Sequence, residues 1–150
     1  MTDVHGTEAR SRNMRAIRSA DTRPELYVRK ALHASGLRYR LGGAGLPGRP
    51  DLVLPRHKTV IFVHGCFWHS HDCKYFKQPQ TRSEFWLQKL AKNKARDSAN
   101  ITALLSLGWN VIVIWECVTR NKIDAPSKIA QKVQALLQLQ SDLPTVSIIS

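Results

Sequence analysis

The strongest constraint on the fold of this chain is the placement of its three cysteines. Cys66 and Cys73 bracket a short segment that contains His69 and His71, and Cys117 lies more than forty residues further along. Three thiols cannot all pair within one chain, and three cysteines with one histidine are a common ligand set of structural zinc. We therefore expect a zinc site that ties two distant segments together, with His69 or His71 as the fourth ligand. The alternative is three buried free cysteines that pack as small apolar side chains.

The charge of the chain favours a polyanionic partner. Its 150 residues include 23 Lys and Arg against 11 Asp and Glu, which gives a net charge of +12 and a pI of about 10.2. Such a charge attracts DNA or RNA phosphates, although a merely soluble basic surface has the same composition. No apolar run reaches the roughly eighteen residues of a transmembrane helix, and the polar, basic start does not resemble a signal peptide. We therefore expect a protein of the reducing cytoplasm with no membrane partner.

The first half of the chain predicts one helix and three strands. Thr22-Arg23-Pro24-Glu25 is a capping box with proline in the first turn, and Gly36 is a stop signal, so we expect a helix over residues 23–35. Alternating, apolar or β-branched runs predict strands at residues 37–41, 51–54 and 59–64. The last of these runs is apolar enough for the centre of a sheet.

The second half predicts a long helix from Thr81 or Ser83 to Gly108, because apolar positions recur at three- and four-residue spacing. The stripe consists of Trp86, Leu90, Asn93, Asp97, Ile101 and Leu104. A strand over 109–115 and a weaker helix over about 127–139 follow, and the tail is not assigned. The order helix, three strands, helix, strand indicates one α/β domain over residues 1–150.

Two carboxylates stand at positions that otherwise read as apolar. Asp51 opens a predicted buried strand, and Asp97 lies on the apolar stripe of the long helix. A buried carboxylate needs a partner, which for Asp97 is either a functional group or an ordinary ion pair with Lys94 or Lys58. Four basic residues lie on a neighbouring face of this helix, namely Arg82, Lys89, Lys92 and Arg96. They either contact nucleic-acid phosphates or form an ordinary solvated helix face.

Several longer motifs resemble one known family. They are Asn13-Met14-Arg15-Ala16-Ile17, Leu46-Pro47-Gly48-Arg49-Pro50-Asp51, the run from Val60 to His69, the run from Thr81 to Leu87, and Trp115-Glu116-Cys117. Through these motifs the chain resembles the very-short-patch mismatch repair endonuclease (Vsr) family over roughly residues 8–120. The resemblance implies a restriction-endonuclease-like αβββαβ core, in which helices flank a mixed central sheet, with a structural zinc site.

The resemblance also implies a reaction. Members of the family nick mismatched duplex DNA immediately 5′ of the T in a T:G mismatch, the lesion left when 5-methylcytosine deaminates, and thereby initiate very short patch repair. By the same resemblance, Asp51 and the backbone carbonyl of Val63 would bind a catalytic Mg²⁺. His69, hydrogen-bonded to Asp97, would be the acid/base group.

Further catalytic residues follow from the resemblance. Glu25 and His64 would surround the reacting groups and hold metal-bound water or phosphate. The broader fold usually has an acid and a lysine on this strand, where Phe62 and His64 stand in this sequence. The site would therefore have one carboxylate where two are common.

For the zinc site and the DNA contacts, the resemblance makes the residues definite. The zinc ligands would be Cys66, His71, Cys73 and Cys117, which leaves His69 free for catalysis. An aromatic wedge beside the mispair would consist of Phe67, Trp68 and Trp86, opposite an N-terminal DNA-contacting segment, residues 1–20, around Met14. Ser70 and Asp72 depart from the histidine-rich form of the loop, but neither is a ligand, so zinc should be retained.

The resemblance further implies a bacterial, nucleoid-associated monomer. A MutL-type mismatch repair protein and a cytosine-5 DNA methyltransferase would be its functional partners. Residues 121–150, with the C-terminal helix and tail, lie outside the resemblance. Two alternatives remain at this point: a restriction-type endonuclease that cuts intact duplex, and a non-enzymatic DNA-binding zinc module, which would not need Asp51, His69 and Asp97.

Overall fold

The computed structural model describes residues 22–43, 45–69, 71, 73, 77, 80–120, 125–140 and 142–150. The predicted N-terminal DNA-contacting segment with Met14 lies outside the described residues, as do Ser70 and Asp72. Within the described ranges, no helix is long and apolar enough to span a membrane.

The helices and strands follow the order expected of an α/β protein. The helices are α1 (Arg23–Ala34), α2 (Ser83–Ser106), α3 (Glu116–Thr119) and α4 (Ala125–Gln138). The strands are β1 (Arg40–Leu41), β2 (Leu52–Leu54), β3 (Thr59–His64), β4 (Asn110–Trp115) and β5 (Val146–Ile149). One turn of 3₁₀ helix, Pro55–His57, joins β2 to β3.

Local hydrogen bonds and backbone geometry define the ends of α1. The Thr22 hydroxyl oxygen accepts a hydrogen bond of 3.4 Å from the backbone N–H of Glu25, and Pro24 lies in the first turn. At the other end, Gly36 has a φ of 94°, a left-handed conformation that glycine adopts without strain. The predicted helix over 23–35 is therefore confirmed to within one residue.

The five strands form one mixed sheet in the order β1-β2-β3-β4-β5. Strand β2 is antiparallel to both of its neighbours, β1 and β3, whereas β3, β4 and β5 are parallel. His64 at the end of β3 pairs with Trp115 at the end of β4. Because adjacent parallel strands end at the same edge of a sheet, the segments that continue from them to Cys66 and Cys117 lie side by side.

The central sheet is buried on both faces. Alternate strand residues pack against α1 and α4, namely Leu52, Leu54, Ile61, Ile112 and Ile114. The intervening residues pack with Leu104 of α2 on the opposite face, namely Val53, Val60, Phe62, Val111 and Val113. An apolar run whose residues alternate between two cores is typical of a strand covered on both faces. The predicted mixed sheet flanked by helices is thus present.

The structure differs from the sequence predictions at the first strand and in the C-terminal part of the chain. The first strand covers only Arg40–Leu41 instead of 37–41, because Leu37 and Tyr39 precede the paired segment and pack against the core. Helix α4 begins about two residues earlier than predicted. The unassigned tail forms β5, which extends the sheet beyond the expected αβββαβ order. The other predicted strands and the long helix agree within two residues.

Candidate active site and adjacent cysteine cluster

Two carboxylates meet beside the end of β3. Asp51 immediately precedes β2, and its Oδ2 accepts a hydrogen bond of 2.7 Å from the backbone N–H of Val63. Glu25 belongs to the first turn of α1 and is 4% exposed. Burial, assisted by the nearby Glu25 carboxylate, raises the pKa of Asp51 to about 7, although the Val63 hydrogen bond acts in the opposite direction. Paired, partly buried carboxylates are ligands that suit a hard divalent cation.

A histidine pair and a third carboxylate lie next to this group. The Nδ1–H of His69 donates a hydrogen bond to Oδ2 of Asp97, in the middle of α2. The rings of His64 and His69 are stacked, with 3.9 Å between centroids and 5° between planes. Burial and then the neighbouring His69 lower the pKa of His64 to about 4, so its imidazole is neutral at pH 7. Within the described part of the chain, Asp97 pairs with His69 rather than with Lys94 or Lys58.

Both groups line a single cleft with a volume of about 810 Å³. Its walls come from α1, Gly42, residues 48–50, the end of β3 and the middle of α2. The five residues expected to act in catalysis all line it, namely Glu25, Asp51, His64, His69 and Asp97. The structure therefore brings these residues together, and their roles remain predictions.

The three cysteines converge with one histidine beside this cleft. One ligand atom from each of Cys66, His71, Cys73 and Cys117 lies within 4.8 Å of the others. None of these cysteines forms a disulfide. Burial raises the pKa of the Cys66 thiol to about 12, so this thiol needs a cation beside it to ionise at neutral pH. Three soft sulfur donors and one imidazole in this spacing fit a tetrahedral metal site.

The two histidines between which ligand spacing could not choose have different neighbours in the structure. His71 Nδ1 lies 3.6 Å from the Sγ atom of Cys117, whereas His69 turns to Asp97 and His64. The two histidines of the loop thus belong to different clusters.

The predicted wedge residues contact one another next to the cleft. The ring centroids of Phe67 and Trp68 lie 5.2 Å apart, and those of Phe67 and Trp86 lie 5.5 Å apart. All three side chains are half-buried. Such a cluster is neither core nor solvated surface, and it presents aromatic area that a DNA base could cover.

The predicted phosphate contacts have different surroundings. Lys92 and Arg96 are exposed on α2, while Lys89 is half-buried with its Nζ 5.6 Å from the ring centroids of both Trp68 and Trp86. Arg82 precedes α2 and lies over Phe85. Lys89 thus lies beside the aromatic cluster, whereas Lys92 and Arg96 are open to solvent.

Three contacts of the site were missed by sequence reasoning. Asn93 was assigned to the apolar stripe, but its Nδ2 donates a 3.3 Å hydrogen bond to the carbonyl oxygen of Trp68. Trp115 ends strand β4 as predicted, and in addition its ring stacks on His71 with 4.1 Å between centroids. Arg29 pairs with Glu25 at 3.2 Å. Only the last carried a local signal, the four-residue spacing on a helix.

Comparison with known families identifies one match. The family model described as DNA mismatch endonuclease Vsr matches residues 2–75.

Curated relatives extend the similarity over most of the chain. It is similar to the DNA mismatch endonuclease Vsr of Escherichia coli (strain K12), 50% identical over 122 residues that cover 81% of this chain and 78% of that protein. The type II nicking enzyme V.NmeAIP of Neisseria meningitidis serogroup A is 47% identical over 122 residues, 81% of this chain and 87% of the relative. The type II nicking enzyme V.XorIIP of Xanthomonas oryzae pv. oryzae is 46% identical over 117 residues, 78% and 86% of the two chains.

Proposed function

The chain belongs to the DNA mismatch endonuclease Vsr family, and on that premise we propose that it nicks the T-containing strand of T:G mismatches immediately 5′ of the mispaired T. It is a DNA endonuclease, as the family is, and DNA is its substrate. The T:G specificity is the finer part of the proposal. A T:G pair arises when 5-methylcytosine deaminates, so a cytosine-5 DNA methyltransferase would create the sites that the enzyme repairs.

The observation that carries the proposal is the convergence of two chemical groups on one cleft. The carboxylates of Glu25 and Asp51 and the hydrogen-bonded pair of His69 and Asp97 line the same cleft of about 810 Å³. Hydrolysis of a phosphodiester needs charge neutralisation at phosphorus, an activated water and a proton-transfer group. Together these groups could supply all three.

In this mechanism His69 moves a proton at Nε2, because its Nδ1 is engaged by Asp97. The carboxylate fixes the tautomer, and the stacked His64 ring restricts rotation of the imidazole. Asp51 and the Val63 carbonyl would hold Mg²⁺, a pair of hard oxygen donors that suits this ion. The N–H and C=O of one strand residue point to the same neighbour, so the Val63 N–H bond to Asp51 is consistent with this ligand pair. When bound, Mg²⁺ supplies charge neutralisation at the phosphate and an activated water.

The cysteine cluster would hold zinc through Cys66, His71, Cys73 and Cys117. Its donor set favours zinc over Mg²⁺, since thiolates are soft ligands. Zinc would then fix the loop that carries both His69 and the aromatic residues Phe67 and Trp68. The catalytic histidine and the DNA wedge would share one anchor.

The aromatic cluster of Phe67, Trp68 and Trp86 would enter the duplex beside the mispair. Opening a base step costs a few kcal/mol, less at a mismatch that pairs poorly, and each base-to-aromatic stack returns about 1 to 3 kcal/mol. The mismatch is then selected partly because it opens easily. Met14, proposed to approach from the opposite groove, lies outside the described residues.

A second function deserves a test because two of the relatives are named type II nicking enzymes. An enzyme of this kind could nick a recognition sequence in intact duplex instead of a mismatch. The same fold and site would serve both reactions, since the chemistry at the phosphate is identical. Only the choice of substrate separates the two functions.

The experiment compares otherwise identical duplexes that carry T:G, U:G or C:G, each with Mg²⁺ or with EDTA. We expect nicking of the T strand at T:G with Mg²⁺ and none at the paired C:G duplex. Equal nicking of C:G duplex would support the alternative. Asp51→Ala should bind the T:G duplex and fail to nick it, and a fully active Asp51→Ala protein would contradict the metal assignment.

A further inference from the structure

A permanently charged side chain, that of Arg29, lies beside the two carboxylates of the cleft, Glu25 and Asp51. Arg29 lies one turn after Glu25 on α1, and its Nη2 donates a hydrogen bond of 3.2 Å to Oε2 of Glu25. The two side chains are 14% and 5% exposed, and both line the cleft together with Asp51. The Thr22 hydroxyl donates to the other oxygen of Glu25 at 3.4 Å, so this carboxylate is held from both sides.

The formal charges in this group do not cancel. With both carboxylates ionised, as above the raised pKa of Asp51 of about 7, they and the guanidinium leave a net charge of −1, and without Arg29 the net charge would be −2. A guanidinium cannot lose its proton in a protein, so the positive charge is present at every working pH. A divalent cation that approaches Asp51 therefore meets a less negative site than the carboxylates alone would provide.

We infer that Arg29 is a built-in counter-cation of the Glu25 and Asp51 carboxylates, which holds them together in the DNA-free protein and weakens their affinity for a divalent cation. Repulsion between a guanidinium and a divalent cation a few Å apart, at an effective dielectric constant of about 20, is strong enough to change affinity tenfold or more. A DNA phosphate restores the missing negative charge when it enters the cleft. Firm metal uptake would then be coupled to DNA binding.

The test is Mn²⁺ binding to the zinc-loaded, DNA-free protein, measured by the electron paramagnetic resonance signal of free Mn²⁺ at pH 8. Arg29→Gln removes the charge but keeps a hydrogen-bond donor for Glu25, and we expect it to bind Mn²⁺ at least about tenfold more tightly. Arg29→Lys keeps the charge and should bind Mn²⁺ within a small factor of the wild-type protein. Arg56→Gln, an exposed residue of the 3₁₀ turn, controls for net charge and should change nothing.

The double variant Arg29→Gln, Asp51→Asn should lose the tighter Mn²⁺ binding expected of Arg29→Gln alone. That loss would show that the additional affinity arises in this cleft. Arg29→Met, which has a side chain of similar length and no charge, serves as a second uncharged variant. Thermal unfolding shows which of the two uncharged variants fold, and only folded proteins are compared. Unchanged or weaker Mn²⁺ binding by a folded uncharged variant would overturn the inference. The inference rests on one part of the proposed function, namely that Asp51 binds a divalent cation. Its failure would leave T:G nicking intact, and absence of T:G nicking would leave the Mn²⁺ result unaffected.

Discussion

The His69 side chain is restrained from two directions. Asp97 accepts a hydrogen bond from its Nδ1, and the His64 ring lies against its face. Since a positioned acid/base group contributes about 10² to 10⁴ to the rate, we expect His69→Ala to slow nicking by that factor. Affinity for T:G duplex should stay near the wild-type value. Single-turnover nicking and equilibrium binding on one duplex measure the two quantities.

Trp68 immediately precedes His69 in the chain, and its substitution should have the opposite effect: a loss of DNA affinity with the chemical step retained. Trp68→Ala removes a stack worth about 1 to 3 kcal/mol, so T:G affinity should fall by about 5- to 150-fold while binding to paired DNA changes little. Saturating protein should restore much of the single-turnover rate. If His69→Ala lost zinc and affinity together, the division of roles between His69 and His71 would be wrong.

Asp51 makes a pH-dependent contribution to stability. Its pKa is about 7 in the folded protein and near 3.8 in the unfolded chain, so ionisation favours unfolding and stability declines as pH rises from about 4 to 7. We expect Asp51→Asn to stabilise the zinc-loaded protein without added Mg²⁺. The gain should grow across this pH range to at most about 4 kcal/mol and then level off.

Thermal unfolding at a series of pH values measures that gain. Asp142→Asn, at an exposed position near β5, is the control and should show little effect. A gain of the same size at pH 4 and pH 8 would contradict the raised pKa of Asp51.

Helix α2 supports the loop that carries Trp68 and His69, and in the proposed complex it would also face the DNA. Asn93 and Asp97 are one turn apart and contact the successive loop residues Trp68 and His69. The exposed Lys92 lies on this helix, so Lys92→Ala should reduce the slope of log affinity against log salt by about one unit. Lys132→Ala makes the same change in net charge at an exposed position of α4, which packs on the face of the sheet opposite to α2, and it should leave the slope unchanged.

Salt titrations of T:G duplex binding compare the two variants directly. Equal slopes for Lys92→Ala and wild-type protein would mean that this face of α2 does not touch phosphate.

At the scale of the whole molecule, the proposed zinc would join the loop after β3 to the segment after β4. We expect about one zinc per chain, and Cys117→Ser should lose it, because a tetrahedral site with one weak ligand binds poorly. Structural zinc is worth about 10 to 16 kcal/mol in small modules, and the larger core here should make the loss of stability smaller. Metal analysis and thermal unfolding measure both effects.

His69→Ala, in the same loop, is the control that should retain zinc. Full metal content and an unchanged melting temperature in Cys117→Ser would contradict the zinc assignment.

Local patterns in the sequence were sufficient for most of the fold. The Thr22 cap and the Gly36 stop predicted α1 to within one residue, and the β-branched run predicted Thr59–His64 as a strand. These features are local, since caps and side-chain periodicity depend on residues within a few positions of one another. The family motifs predicted the site residues, and the three cysteines predicted a metal cluster between distant segments.

Other features depended on contacts between residues far apart in the chain. The parallel pairing of β3 and β4 brings Trp115 onto His71, and it selects His71 instead of His69 for the cysteine cluster, which ligand spacing alone left open. The four residues of β5 join the sheet only because β4 offers a free edge to pair with. Likewise, the raised pKa of Asp51 arises first from its burial and then from the carboxylate of Glu25, which belongs to another element. Sequence determines local conformation through short-range sterics and hydrogen bonds, whereas burial and electrostatics at the site arise only when distant segments pack together.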